Sequence, residues 1–218
     1  MQRSRTPRHL GAALLTAALV LGCASGTQVA YDRVQINLPF VGKRHVAVAA
    51  LDLRASLKNG EHDANVTGSV RTDAQTASPV ATASGAAFAD DVSEVIARGL
   101  GRSGYRVDRL TPAGSLSEAQ VFAELEGTGA THLVLLVIRE WQTLTFQNTE
   151  VRYDLTLEIR NPAGALQAES DRRGSDQLAP AHSDSEDARE RASQSALEQK
   201  LNLLFAEPRV VAAFQREL

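Results

Sequence analysis

The sequence predicts a single α/β domain: a mixed sheet of about five strands, two to three helices packed on it, and an amphipathic helix at the C-terminal end. Three observations carry this. Two short, unbroken apolar runs, residues 45–52 and 131–138, have the character of central strands buried on both faces. Phe88, Val92, Val95, Ile96, Gly99 and Leu100 recur at the spacing of one helix face, while Asp90, Asp91, Glu94 and Arg98 fall elsewhere on the wheel. Val151 to Ile159 alternates apolar and polar without a fault, as a strand with one dry and one wet face does.

The composition agrees with a globular chain. Of 218 residues 43% are hydrophobic and 22% charged, ordinary values that exclude a fibrous, collagen-like or wholly disordered protein. The length allows one domain with extensions, enough to bury about 70% of the surface of the unfolded chain. The formal net charge is -3, with no concentrated Lys/Arg face, so nucleic acid is not an expected partner.

Taken in order, residues 24–44 are polar and Gly/Pro-containing with scattered apolar groups, which predicts a flexible tether with a short extended segment at 34–40. The folded domain is then expected to begin near His45. Asp52 and Arg54 mark the polar exit of the first strand. Residues 56–84 are rich in Gly, Asn and Thr, with a turn signal at Asn59-Gly60 and room for one short strand around Val66–Val70; they are expected to form a mobile or partner-facing loop.

The helix from Phe88 carries acids in its first half and Arg98 and Arg102 near its end, as the helix dipole favours, and Gly101 or Gly104 can stop it. Residues 105–110 alternate as a half-buried strand. Ser115 and Glu118 stand at capping-box spacing for a shorter helix to Leu125. After the strand at 151–159, Asn161-Pro162-Ala163-Gly164 closes a hairpin into 165–170, with Leu166 and Ala168 facing inward. A helix capped by Ser183 and Glu186 runs to about Phe205 with Leu197, Leu201 and Leu204 on one face, and Pro208 opens a last helix holding Val210, Val211 and Phe214.

Motifs of local chemistry are weak. Gly99, Gly101 and Gly104 spell G-x-G-x-x-G, but they close a helix and precede a strand, whereas a dinucleotide site needs them after a strand and opening a helix. Asn65-Val66-Thr67 matches a glycosylation acceptor and carries no weight. His45, His62, His132 and His182 stand singly, without the i, i+4 partner of a helical zinc site. Asp171, Asp176, Asp184, Glu186 and Asp187 lack calcium-loop spacing and are expected to be solvated. Trp141, Phe146 and Tyr153 are expected on a packed strand face, with an aromatic contact patch as the alternative. No nucleophile elbow or Walker-type lysine is present, so neither catalytic residues nor a cofactor are expected.

The N-terminus is more specific. Arg3, Arg5 and Arg8 precede a 13-residue apolar run, Leu10 to Gly22, which is the pattern of an export signal and too short to span a bilayer. The run ends Leu19-Val20-Leu21-Gly22-Cys23-Ala24-Ser25, which resembles the lipobox of bacterial lipoproteins, and Cys23 is the only cysteine of the chain. A free thiol is the alternative reading. The resemblance implies a signal peptide at 1–22, acylation of Cys23, a tether at 23–44 and a periplasmic domain at 45–218. Two or more acyl chains would hold it stably. Ala24, in place of an Asp, implies the outer membrane. Removing residues 1–22 takes three Arg and no acid, leaving 20 basic and 26 acidic groups and a mature charge of -6.

The strand Val46–Asp52, the helix ending Gly101-Arg102-Ser103-Gly104-Tyr105-Arg106-Val107, the strand Glu150–Leu155 and the terminal helix with Phe214 together resemble the YajG-like family of bacterial lipoproteins. More broadly they resemble periplasmic α/β modules such as the curli-secretion lipoprotein and the N-terminal domain of the Tol-system propeller protein. The resemblance implies a lipid-anchored, non-enzymatic module of envelope assembly, transport or maintenance, with the membrane and an envelope protein as partners. It transfers no catalytic residue. A periplasmic small-ligand binder or a hydrolase with a nonlocal site is the alternative.

Overall fold

A computed structural model describes residues 27–71, 77–110, 117–146, 148–179 and 185–215. The elements run β1 (Thr27–Val29), a 3-10 turn (Tyr31–Arg33), β2 (His45–Asp52), α1 (Ala55–Lys58), β3 (Val66–Arg71), β4 (Ala77–Thr82), α2 (Phe88–Arg102), β5 (Arg106–Arg109), α3 (Glu118–Thr128), β6 (His132–Thr145), β7 (Thr149–Arg160), β8 (Leu166–Ala179), α4 (Glu186–Phe205) and α5 (Pro208–Gln215). The mixed α/β class is as expected, but the sheet has eight strands rather than about five, with the order β1-β4-β3-β6-β2-β5 and β7 and β8 continuing from the other side of β6.

β6 organises this sheet. Its first half pairs in parallel with β2, Val46 to Asp52 against His132 to Ile138. Its last residues pair on the same side with β3, Gly68 to Val70 against Thr143 to Thr145. β7 pairs antiparallel along its whole length. The sheet is therefore forked: β2 leaves β6 and β3 joins it farther on. A bulge at Arg139, between the pairs Ile138–Leu155 and Glu140–Asp154, shifts the register at the fork.

One face of the sheet carries Val48, Ala50, Leu136, Ile138, Trp141 and Leu155 under α2, α4 and α5. The other face carries Ala47, Ala49, Leu133 and Leu135 under α3 through Val121 and Leu125. Burial on both faces explains why the runs at 45–52 and 131–138 lack alternation. α2 ends at Arg102, and Gly104 follows in a left-handed conformation (φ 93°), so these glycines serve helix termination. Cap chemistry was expected two residues early: Ser117 and Gln120, not Ser115 and Glu118, form the capping box of α3. α4 is capped by Ser185, whose side chain accepts from the Ala188 amide; the expected cap Ser183 lies outside the described residues.

The expected tether at 23–44 is corrected over residues 27–44. Tyr31, Val34, Ile36 and Phe40 are buried in the main core, and Phe40 stacks on Phe214 with ring centroids 4.3 Å apart. This strap lies between α2 and α4, and their side chains meet its backbone. The Ala30 amide donates to Glu190 Oε1 (3.1 Å) and the Ala30 carbonyl accepts from Gln194 Nε2 (3.0 Å). The Asn37 amide donates to Asn202 Oδ1 (2.8 Å), and the Ile36 carbonyl accepts from Arg102 (3.1 Å). Arg98 donates to the Asp32 carbonyl. Over 34–40 the strap buries only alternate positions, so its apolar residues are scattered in the sequence as in a linker.

Within the loop expected at 56–84, the short strand expected at 66–70 is present as β3, but it pairs antiparallel with a second strand, β4, and α1 overlaps the start of the segment. Leu166, expected inward, is 50% exposed, because the β7–β8 register slips between Ile159 and Arg160; Ala168 does face the core. β8 runs nine residues past the expected end at Ser170. Its later polar residues face helices: Arg172 donates to the Leu203 carbonyl (3.1 Å), and Lys200, lying over the Tyr153 ring, pairs with Asp176.

Asp91, in the first turn of α2, is buried. One carboxylate oxygen accepts from Ser84 Oγ at 2.7 Å, while the other is enclosed without a hydrogen-bond partner. Burial pushes its pKa up from 3.8 to about 6, with smaller contributions from Asp32 and Asp90. The native state thus holds this proton more tightly than the unfolded chain does, so its contribution to stability is full below pH 3.8 and lost as pH rises through about 6. Relative to wild type, Asp91→Asn is expected to gain stability as pH is raised from 4 to 7, by up to about 3 kcal/mol. Urea unfolding at both pH values measures this, and a pH-independent difference would refute it.

Gly99 on α2 packs against the strap, where an added Cβ would lie 2.5 Å from Ile36 Cγ1. In a free helix Gly→Ala gains about 0.5–1 kcal/mol. Here Gly99→Ala is expected to lower stability by about 1–3 kcal/mol through overpacking. The double variant with Ile36→Ala should lose less than the sum of the two single losses, as denaturant midpoints will show.

Candidate functional site

The fork leaves a cleft between β3 and β6. Its polar end, about 470 Å³, is lined by residues that include Arg54, Ser56, His62, Arg139, Asp154 and Arg173. A contiguous apolar end of about 720 Å³ shares His62 and Gln142 with it and adds Arg71, Leu144 and Phe146. Both volumes fall in the range of small-molecule and peptide sites.

Arg54 forms the floor. The residues expected as a polar strand exit are instead a buried ion pair: Nε and Nη2 donate to the two oxygens of Asp52 at 2.8 and 2.7 Å. Nη1 donates to the Val66 carbonyl (2.7 Å), and Nη2 also donates to the Ala64 carbonyl (2.9 Å). The guanidinium stands over the Phe88 ring, 5.5 Å from its centroid. This arginine is committed to the fold.

Nearer the mouth, Asp154 lies between two cations, with Arg139 Nη1 at 4.0 Å and Arg173 Nε at 3.6 Å. Arg139 also donates to Thr156 Oγ1 at 2.7 Å. Arg173 is largely exposed, so these pairs exchange readily with water or a partner and contribute little to stability. Asp154 is one of the polar positions of the alternation at 151–159, but that face is not wet throughout, since Thr156 and Glu158 on it are buried. Arg139 and Arg173 carried no sequence signal, since the bulge and the β8 register place them.

Behind the cleft, Trp141 Nε1 donates to the Tyr31 hydroxyl at 3.1 Å. Burial raises the pKa of that phenol above its ordinary value, against the lowering by the Trp141, Thr67, Ser193 and Thr143 groups around it. Trp141 and Tyr153 are packed, as expected, but Phe146 is 58% exposed at the β6–β7 turn.

The histidines are dispersed. His45 Nε2 is 2.8 Å from Asp108 Oδ2 at a strand edge. His132 is buried, with Nδ1 3.0 Å from Thr131 Oγ1, and burial together with Arg44 lowers its pKa. His62 lines the cleft. No group of three His, Cys, Asp or Glu side chains suited to a metal occurs among the described residues. Asp171 and Asp176 lie on β8, and Asp176 is paired with Lys200 rather than freely solvated. Cys23, His182 and Asp184 lie outside the described residues. No described helix is long and apolar enough to cross a membrane.

No family model and no curated protein matches the sequence. Among solved structures, the chain is similar to a Xanthomonas campestris protein of the DUF330 family model, with a TM-score of 0.53 and 15% identity over 83% of this chain and 93% of that one. It also aligns with a PelC dodecamer structure from Paraburkholderia phytofirmans (TM-score 0.44, 14% identity, 84% and 95% covered). A further alignment is with lipoprotein GNA1162 from Neisseria meningitidis (TM-score 0.37, 10% identity, 74% and 99% covered). The first of these shows a shared fold.

Proposed function

We propose that this chain is a non-enzymatic, lipid-anchored module of the bacterial envelope, held at the periplasmic side of the outer membrane through Cys23 and binding an envelope protein through the β3–β6 cleft. The cleft carries the reading. Its ion-paired mouth, where Arg139 and Arg173 share Asp154, can exchange those pairs for a partner's charges. The export signal and lipobox pattern before Cys23 supports the anchor, as does the placement of the domain start a few residues beyond it. The YajG-like resemblance supports an accessory role.

A second reading, hydrolysis or small-ligand binding, has one observation in its favour: Ser56 and His62 line the same polar end of the cleft. Ester hydrolysis by the purified protein that disappears in His62→Ala would favour it over the first.

Affinity capture from detergent-solubilised membranes is expected to recover one specific envelope protein with the wild-type chain and to lose it with Arg173→Glu, a charge reversal on a side chain that is 77% exposed. Repeated recovery of none, or equal recovery with both, would overturn the reading. The anchor is tested by intact mass: the mature wild-type chain is expected to carry acyl mass on Cys23, and Cys23→Ala to carry none.

A further inference from the structure

The direction of the strands fixes which end of the domain faces the anchor. β6 and β3 run toward the β6–β7 turn, β4 runs away from it antiparallel to β3, and β1 runs parallel to β4. Thr27 pairs with Val80, which stands level with Gly68 and Thr143, so the chain before Thr27 leaves the sheet on the side of the β6–β7 turn. Only residues 24–26 separate Cys23 from β1, and four Cα-to-Cα steps span at most about 14 Å. A tether reaching to residue 44 would span about five times that length.

The same end presents the side chains that a lipid surface takes. Phe146 is 58% exposed at the β6–β7 turn, with Leu144 beside it and the exposed Arg71 at the end of β3 lining the same cleft. Of the other large apolar side chains exposed among the described residues, Val41 precedes β2 and Leu166 opens β8, both toward the opposite end, while Leu203 on α4 stands beside Arg172, level with the middle of β6.

Resting on the Cys23 anchor proposed above, we propose that this end of the sheet lies in the headgroup layer of the anchoring membrane. There Phe146 enters the acyl boundary and Arg71 meets lipid phosphate, and the apolar end of the cleft opens onto the bilayer. The polar end, with Arg139, Asp154 and Arg173, then points away from the membrane.

The test uses the full, lipidated chain in vesicles of phosphatidylethanolamine and phosphatidylcholine, part of the latter brominated near the headgroup. Phe146→Trp and Leu166→Trp each add one exposed indole to the buried Trp141. The indole at 146 is expected to shift to the blue and lose most of its added emission to the bromines, and the one at 166 to lose little. Equal quenching at the two positions in a chain whose intact mass confirms the acyl groups would overturn the orientation alone. A chain without acyl mass would overturn the anchor and the orientation with it.

Discussion

The ion pair between Asp52 and Arg54 holds the two arms of the sheet together. Where β2 parts from β6, two carbonyls at the fork take side-chain donors: that of Val66, the first residue of β3, and that of Ala64, which also accepts from the Phe88 amide. Arg54 supplies both. A guanidinium buried that deeply needs an opposite charge with matching geometry, and Asp52, two residues earlier at the end of β2, receives it in a two-pronged pair. Losing either partner would strand a charge in the core, a loss of about 3–5 kcal/mol. The cleft is the space the fork leaves, and its floor is the group that makes the fork possible.

The strap at 27–40 meets a related demand differently. Beyond β1 it has no ladder partner, and its amides and carbonyls face two helices whose own backbone groups are already used. Long polar side chains fill the gap, Arg98 and Arg102 from α2, Glu190, Gln194 and Asn202 from α4. Those residues sit on helix flanks where composition alone would place solvent-facing groups. The strap thereby ties together segments 160 or more positions apart, such as Ala30 and Glu190. It also brings the ordered chain to within a few residues of Cys23.

What the sequence made legible was what burial writes strongly. β2, α2 and α4 follow from apolar runs and helical spacing, and Leu197, Leu201 and Leu204 are fully buried on the expected face. β1, β4 and the second half of β8 were not legible, since three-residue pairing carries no period and Ser, Arg and Asp replace apolar groups on the inward side of β8. Charged residues misled at Asp52 and Arg54, where the pattern of charge after an apolar strand marks a surface only if no neighbouring backbone needs a donor. The cleft was less legible still. Arg54, Arg139, Asp154 and Arg173 come from the β2–α1 link, β6, β7 and β8, and only the forked pairing brings them together.

The bulge at Arg139 joins the core to the cleft. Ile138 faces the core, so an unbroken strand would turn Glu140 and Gln142 inward and Trp141 outward. One extra residue reverses the parity: Glu140 then pairs opposite the outward Asp154, and Trp141 opposite the inward Tyr153. Trp141 thus reaches Tyr31 and stacks near Phe88, 5.5 Å between centroids, completing the aromatic cluster that seats the strap. The same reversal turns Glu140, Gln142 and Leu144 onto the face that α3 leaves uncovered, where they line the cleft. A hydrophobic strand face continued past residue 138 would have given a longer core and no site; the inserted residue lets one strand serve a buried cluster on one side and an open surface on the other.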